Sequence, residues 1–365
     1  MIMKTRENIM DLQELRSQID SIDRDIVRLL NERYEVVCKV GEWKRERGQP
    51  IYVPEREKAL LEKLESLNHG PMRNSTLRAI YREIMSGAIQ LENPLRVAFL
   101  GPEATFTHLA AKMKFGHGAE YLPKSSIADV FHDVESGKCD YGCVPVENST
   151  EGVVNYTLDL LVDSPVKICA EINMKIRQCL LSKTDKANIR IVYSHAQSLG
   201  QCRNWLQENL PGVETVSVVS NSRAADLAAH EEGAAAIGSE LAAEVYGLKV
   251  LERGIQDNPN NTTRFLVVGT QAVKPTGDDK TSICFAIKDR IGALYDCLLP
   301  FKQEGLTLTM IESRPSKRRN WEYFFFIDLL GHSSDPKIAK ALEDLNSMAH
   351  SFKIFGSYPC ALPLE

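Results

Sequence analysis

Two sets of polar residues in this 365-residue chain have types and spacing suited to chemistry. The first is Arg33 with Lys44, eleven residues apart in a segment with no glycine or proline before Gly41. Eleven residues is about three helical turns, so both cations point the same way. They continue an apolar stripe, where the periodicity predicts core residues. A cation on a buried face needs an anionic partner. The alternative is that both chains snorkel to the edge of a coiled-coil seam. The second set is Thr262, Thr263 and Arg264, two hydroxyls and a fixed cation. Turn-forming Asp257-Asn258-Pro259-Asn260-Asn261 precedes them, and the apolar run Phe265-Leu266-Val267-Val268 follows. Ligands of α/β sheets sit in crevices at strand ends. The alternative here is a loop whose threonines merely enter a strand.

The elements that position the first set are helical. Leu12, Leu15, Ile19, Ile22, Ile26 and Leu29 recur at steps of three and four, and Arg33, Val37, Val40 and Lys44 extend the stripe. This predicts one helix from Leu12 to about Lys44. Gly48-Gln49-Pro50 breaks it. Pro54 opens a second helix, Glu55 to Leu67, with Arg56 and Glu57 in its first turn. A third runs from about Asn74 to Leu91, with Ser86 and Gln90 one turn apart on one face. Residues 1–92 are therefore an all-α unit. Its core is small for a free-standing domain, so pairing between two chains is expected.

The second set belongs to a segment in which strands alternate with helices, residues 94–273. Leu95–Leu100, Tyr141–Val146, Ile189–Tyr193, Val213–Val219, Ala234–Gly238 and Phe265–Val268 read as strands, which argues for a doubly wound α/β fold. Polar clusters recur at their ends: Gly101 to Thr107, Glu147 to Gly152, Ser194 to Gln197, Asn221 to Arg223, and Thr262 to Arg264. Five in one segment favour a small-ligand cleft between two lobes. After a polar linker, residues 279–365 follow the order βαββαβ, which is ferredoxin-like α+β. The chain is thus expected to be multidomain.

Composition narrows the function. A net charge of −5 gives no basic excess for nucleic acid, and the 43% hydrophobic content supports packed cores. No apolar run approaches the ~20 residues that span a bilayer, and the start lacks a signal-peptide core. Nine scattered cysteines complete no zinc site and suit reduced thiols in the cytoplasm. No nucleic-acid, membrane or metal partner is expected.

The runs LRSQIDSIDRDIVRLLNER, VGEWK, PERE and IMSGAIQLE resemble the all-helical class of chorismate mutase. The resemblance implies site residues Arg16, Arg33, Lys44, Arg56, Glu57, Ser86 and Gln90, with Arg16 contributed by a partner chain. Val53 stands where some members have aspartate. The chemistry is an intramolecular pericyclic step that needs no nucleophile, metal or cofactor. The catalyst folds a dicarboxylate and stabilises charge on the breaking ether oxygen. Arg16, Arg33 and Arg56 suit the carboxylates, Lys44 and Gln90 the ether oxygen, and Glu57 a substrate hydroxyl.

GPEATFTH, PVENSTEG, SHAQSLGQC and NTTRF resemble prephenate dehydratase in that order. Ala104 and Ala196 depart from the glycine and proline frequent there. The resemblance implies a two-lobed fold like that of periplasmic solute-binding proteins. It also implies Thr263 as the central hydroxyl, with Thr105, Thr107, Glu147, Asn148, Ser149, Ser194, Gln201 and Arg264 around the substrate. Adjacent strand residues face opposite ways, so if Thr263 enters the cleft, Arg264 fastens the loop instead. His195 is either a general acid or structural.

Gly292-Ala293-Leu294 and Glu312-Ser313-Arg314-Pro315 resemble the phenylalanine-sensing kind of ACT domain. Tyr295 stands where serine is common. Together these resemblances imply a homodimeric or larger cytoplasmic enzyme. It turns chorismate into prephenate and prephenate into phenylpyruvate, and phenylalanine inhibits it. The rivals are an arogenate dehydratase and a non-catalytic solute-binding sensor.

Overall fold

The computed structural model describes residues 11–50, 52–92, 94–287, 290–315 and 323–361. Helices α1 (Leu12–Glu46), α2 (Pro54–Leu67) and α3 (Asn74–Glu92) form the expected long-short-medium unit. α1 packs on α3, where the Tyr34 hydroxyl donates to the Ile84 carbonyl at 3.1 Å. Gly41 is the only buried residue of α1. Ile19, Ile22, Ile26 and Leu29, the stripe that predicted the helix, are each about half exposed. A helix with an apolar stripe left in water is missing a surface to cover it.

The chain then builds the first lobe: β1 (Arg96–Leu100), α4 (Phe106–Phe115), β2 (Glu120–Lys124), α5 (Ile127–Glu135), β3 (Tyr141–Asn148), β4 (Gly152–Val153), α6 (Asn155–Asp163) and β5 (Lys167–Lys175). It crosses into a second lobe: β6 (Cys179–Ser182), β7 (Ile191–His195), α7 (Ala196–Gln201), α8 (Arg203–Asn209), β8 (Glu214–Val218), α9 (Asn221–His230), β9 (Ala234–Gly238), α10 (Glu240–Tyr246) and β10 (Lys249–Arg253). It returns as β11 (Thr262–Gly269). β11 inserts between β3 and β5, giving the order β2-β1-β3-β11-β5; the second lobe's order is β10-β6-β9-β7-β8. Two crossings therefore join the lobes, and they are pinned to each other. Ile255 N–H donates to the Gln178 carbonyl at 3.0 Å, and Gln178 N–H to Gln256 Oε1 at 2.9 Å.

The last 87 residues, as far as described, give β12 (Asp279–Ile287), α11 (Ala293–Gln303), β13 (Leu308–Pro315), β14 (Tyr323–Leu330), α12 (Pro336–Met348) and β15 (Ser351–Pro359), with strand order β13-β14-β12-β15. One face of this sheet buries Ile283, Phe285, Ile327 and Leu329 with its own helices. The other lies on the first lobe, so that Cys284, Ala286, Phe326 and Phe355 share one core with Ile168, Leu266 and Val268. Contact is close enough to need Gly356: a Cβ there would sit 2.3 Å from the Ile168 carbonyl oxygen.

Two boundaries correct the sequence reading. Thr262, Thr263 and Arg264 are not a mouth loop but the first residues of β11, and Glu147 and Asn148 end β3 rather than follow it.

Candidate active sites

β3 and β11 run antiparallel, and most of their pairing alternates regularly. Val144 and Val146 pack on the same side as Leu266 and Val268. Phe265 and Val267 pack on the other side, against α4. Strict alternation would put Asn148 with Val144 and Val146. The register instead shifts between Arg264 and Phe265, which inserts one extra residue in β3 and brings Asn148 opposite Thr263. A bulge of this kind re-aims a side chain. Asn148 Nδ2 donates to Thr263 Oγ1 at 2.7 Å and to Asn261 Oδ1 at 2.8 Å. Asn148 Oδ1 is itself held by the N–H groups of Thr150 and Glu151 at 2.9 and 3.1 Å. The Thr263 oxygen is thus an acceptor from Asn148, and its own proton is left to donate outward. Thr263 is 8% exposed, enough for a fixed donor at a cleft wall.

The loop before α4 faces the second lobe. Ala104 has φ +63°, the region glycine favours, which explains why glycine is frequent there in the resembling family. Its N–H donates to His108 Nδ1 at 3.1 Å, and its carbonyl accepts from Ser239 Oγ of the second lobe at 3.1 Å. His108 stacks on Phe99 with ring centroids 4.4 Å apart. Burial, with Lys112 adding to it, pulls the His108 pKa down to about 4. Thr105 caps α4, accepting from His108 N–H at 3.3 Å, and Thr107 is buried in the first turn.

The second lobe supplies a connected polar wall. Ser194 Oγ lies 3.0 Å from both Asn221 Oδ1 and the Ile237 carbonyl. Asn221 Nδ2 donates to Ser198 Oγ at 2.9 Å. Gln178 Nε2 donates to Ser198 Oγ at 3.1 Å and to Gln201 Oε1 at 3.3 Å, while Gln178 Oε1 is buried with no partner among the described residues. His195 caps the short α7, its Nδ1 accepting from Gln197 N–H, and is exposed. Its Nδ1 therefore serves as a helix cap.

Several expected residues lie elsewhere. Arg264 points away from the cleft, because Thr263 points into it. Its Nε donates to Glu171 at 2.8 Å, and its Nη1 and Nη2 reach Asp328 and Tyr358 of the C-terminal sheet at 2.5 and 2.9 Å. Ser149 braces the turn, accepting from Thr262 N–H at 3.0 Å. Glu147, in register with Arg264, shares the face turned from the cleft.

In the helical unit, Arg33 Nη1 is buried with no hydrogen-bond partner among the described residues. Lys44 is half-buried in the last turn of α1, and Arg16, Arg56 and Gln90 are exposed. Arg16 and Arg33 are seventeen residues apart on one helix, roughly 25 Å, too far to hold one small ligand. Two of the expected residues have partners outside the helical unit. Ser86 is buried under the first lobe, donating to the Phe115 carbonyl and accepting from Gly118 N–H, both at 2.7 Å. Glu57 accepts from Tyr52 at 2.6 Å and from Lys114 of α4 at 2.9 Å. α3 and α2 carry these residues on faces that dock on the dehydratase-like unit. A cavity of about 660 Å³ opens at this junction, walled by Leu61, Ala79, Met113 and Ile172.

In the C-terminal unit, Gly292 (φ +78°) precedes α11, with Ala293 buried and Leu294 half-buried behind it. β12 and β13 are parallel through β14, since Ile287 and Pro315 both face Tyr323. Gly292 and the stretch Glu312–Pro315 therefore share one end of the sheet. Ser313 and Pro315 are exposed and Glu312 is half-buried there. Arg314 departs from expectation: its Nη2 donates to Asp159 of α6 at 3.1 Å, and its Nη1 is buried with no hydrogen-bond partner among the described residues.

Known proteins match this layout segment by segment. The prephenate dehydratase family model matches residues 97–273, and the chorismate mutase type II model matches residues 15–93. The bifunctional chorismate mutase/prephenate dehydratase of Aquifex aeolicus is 50% identical over 97% of this chain and 99% of its own length. The chain belongs to the bifunctional chorismate mutase/prephenate dehydratase family. The Stutzerimonas stutzeri enzyme of the same name is 46% identical over 96% of this chain and 98% of its own. The prephenate dehydratase of Arthrobacter aurescens, solved in complex with L-Phe, superposes with a TM-score of 0.68 at 33% identity. That match covers 74% of this chain and 92% of that one.

As a bifunctional chorismate mutase/prephenate dehydratase, the chain is an enzyme of phenylalanine biosynthesis with both activities. The non-catalytic rival is set aside by these matches. Within the dehydratase unit Thr263 and Asn148 are paired on the first lobe, and Ser194 and Gln201 belong to the polar network of the second. Sequence reasoning missed Asn261, Ser239, Gln178, Ser198 and His108. Asn261 was within reach, since it borders Thr262 in a polar run. Gln178 and Ser239 carry no local signal, because their importance comes from the lobe crossings.

Proposed function

We propose that prephenate binds between the lobes, with Thr263 donating to the departing hydroxyl. The carboxylate–ring bond breaks and its electrons aromatise the ring. The hydroxyl leaves with one added proton as water, and carbon dioxide is released, leaving phenylpyruvate. Aromatisation drives the step, so a positioned neutral donor suffices. The observation that carries this reading is the Asn148-to-Thr263 hydrogen bond, which fixes the hydroxyl and frees its proton. Asn148 orients Thr263, and the second lobe's polar network, which includes Gln201 and is braced by the buried Ser194, is assigned to the substrate's other side. Thr263→Ala is expected to lower dehydratase kcat by two to three decades, as loss of a preorganised donor does, with prephenate binding retained. Thr263→Ser keeps part of the rate, its hydroxyl being less fixed without the β-branch. A fully active alanine variant would refute the assignment.

The mutase reaction is assigned to a site made by two chains. Arg33 and Lys44 come from one copy and Arg16 from another, with Arg56 and Gln90 completing it. The exposed α1 stripe and the orphan Arg33 Nη1 support a homodimer or larger homo-oligomer. Phenylalanine is proposed to bind at the sheet end shared by Gly292 and Glu312–Pro315, in a ferredoxin-like ACT module, and to inhibit the dehydratase. The L-Phe complex of the Arthrobacter relative supports this. Nine free thiols suit a cytoplasmic setting. Gly292→Leu is expected to leave dehydration intact and remove inhibition; unchanged inhibition would place the ligand elsewhere.

A further inference from the structure

Thr263 and Arg264 are neighbours on β11 with opposite destinations. Thr263 meets the cleft. Arg264 enters a buried cluster in which the side chains of Arg264, Glu171 and Asp328 are 11%, 2% and 3% exposed. Arg264 Nε donates to Glu171 of β5 at 2.8 Å, Nη1 to Asp328 of β14 at 2.5 Å, and Nη2 to the Tyr358 hydroxyl of β15 at 2.9 Å. Ser282 of β12 joins Asp328 Oδ1 at 2.5 Å and Tyr358 at 2.6 Å. Lys280 Nζ donates to both Glu171 oxygens at 2.9 and 2.8 Å. Two cations and two carboxylates thus balance in a dry space. Burial alone would raise the Glu171 pKa, but Arg264 and Lys280 outweigh it and hold the carboxyl below its ordinary value.

We propose that Arg264 is a positioning residue for dehydration, and that this cluster is the relay by which the C-terminal module acts on Thr263. Three of the four strands of the C-terminal sheet contribute a side chain to it: β12, β14 and β15. The fourth, β13, carries Glu312–Pro315 and pairs with β14. A shift of the sheet over the lobe therefore cannot leave Arg264 in place, because ion pairs and hydrogen bonds in a dry site tolerate little misalignment. The next backbone unit belongs to Thr263, whose oxygen must stay 2.7 Å from Asn148 Nδ2. The apolar contact around the cluster would hold the module to the lobe by itself. The charges add a direction-sensitive link to the residue beside the reacting hydroxyl.

The relay rests on the reading that phenylalanine binds the module, whereas the positioning role of Arg264 does not. The full-length protein is tested as wild type, Arg264→Lys, Asp328→Asn and Tyr358→Phe. Mutase turnover and the melting temperature serve as controls for folding. Arg264→Lys is expected to lower dehydratase kcat ten- to a hundredfold with the KM for prephenate within about threefold. Tyr358→Phe, which removes one oxygen and keeps the ring, is expected to bind L-phenylalanine calorimetrically as wild type does and to lose at least half of the inhibition. Asp328→Asn should do the same more strongly. Arg264→Lys with a lower melting temperature and unchanged kcat overturns the positioning role. Normal phenylalanine heat with full inhibition in both Tyr358→Phe and Asp328→Asn overturns the relay alone. No heat from the wild type overturns the regulatory reading, and the relay with it.

Discussion

At the scale of single residues, the dehydratase cleft depends on hydrogen bonds whose direction is fixed. Asn148 can donate to Thr263 because its own oxygen is occupied by two backbone N–H groups. His108 does the same for the loop opposite, accepting from Ala104 N–H where the backbone has a positive φ. That contact requires a neutral ring. With the folded pKa at about 4 against an ordinary 6.5, the unfolded chain binds more protons between those values. Stability from this group is therefore greatest well above pH 6.5 and is lost as pH falls toward 4. His108→Gln keeps an acceptor that does not titrate. Its melting temperature should fall less steeply from pH 7 to pH 4.5 than that of the wild type. Parallel curves would show that the ring is not the titrating group.

At the scale of elements, the helical unit and β3 teach different lessons. α1 was legible from its stripe, yet the stripe lies in water within one chain. Periodicity shows that a face will be buried but not by which molecule. Ile22→Glu with Ile26→Glu puts charge on that face. The variant is expected to sediment as a monomer and to lose mutase turnover by more than tenfold, since the proposed mutase site takes Arg16 from a second copy. Dehydratase activity on added prephenate should remain, and a monomer with full mutase activity would disprove the shared site. For β3, the PVENSTEG run was recognisable, but its bulge was not. Alternation read from sequence would aim Asn148 at the wrong face. The bulge exists only in the pairing with β11, more than a hundred residues later. Ser86 and Glu57 have partners that the helical pattern does not show, because both face a domain that local periodicity does not see.

At the scale of the whole molecule, the C-terminal sheet is part of the first lobe's core rather than an appendage. Ile168, Leu266 and Val268 are 2% exposed or less in a core they share with Phe326, Phe355 and Tyr358. Removing residues 276–365 would uncover that face and leave Glu171 and Arg264 in water. Such a truncation is expected to aggregate or melt at least 10 °C lower, rather than act as a deregulated enzyme. A soluble truncation with wild-type melting and dehydratase kinetics would show that the shared core matters little. The linker at 274–280 looked like a domain boundary because it is polar, and composition there is silent about the sheet that folds back.

The two activities are held on separate elements, and complementation tests this most directly. Chorismate is given to Lys44→Ala, to Thr263→Ala and to an equal mixture of the two, with prephenate and phenylpyruvate followed over time. Lys44→Ala is expected to leave chorismate nearly untouched, Thr263→Ala to accumulate prephenate, and the mixture to form phenylpyruvate. Steady phenylpyruvate from either variant alone, or none from the mixture while each variant keeps its other activity, would contradict the account.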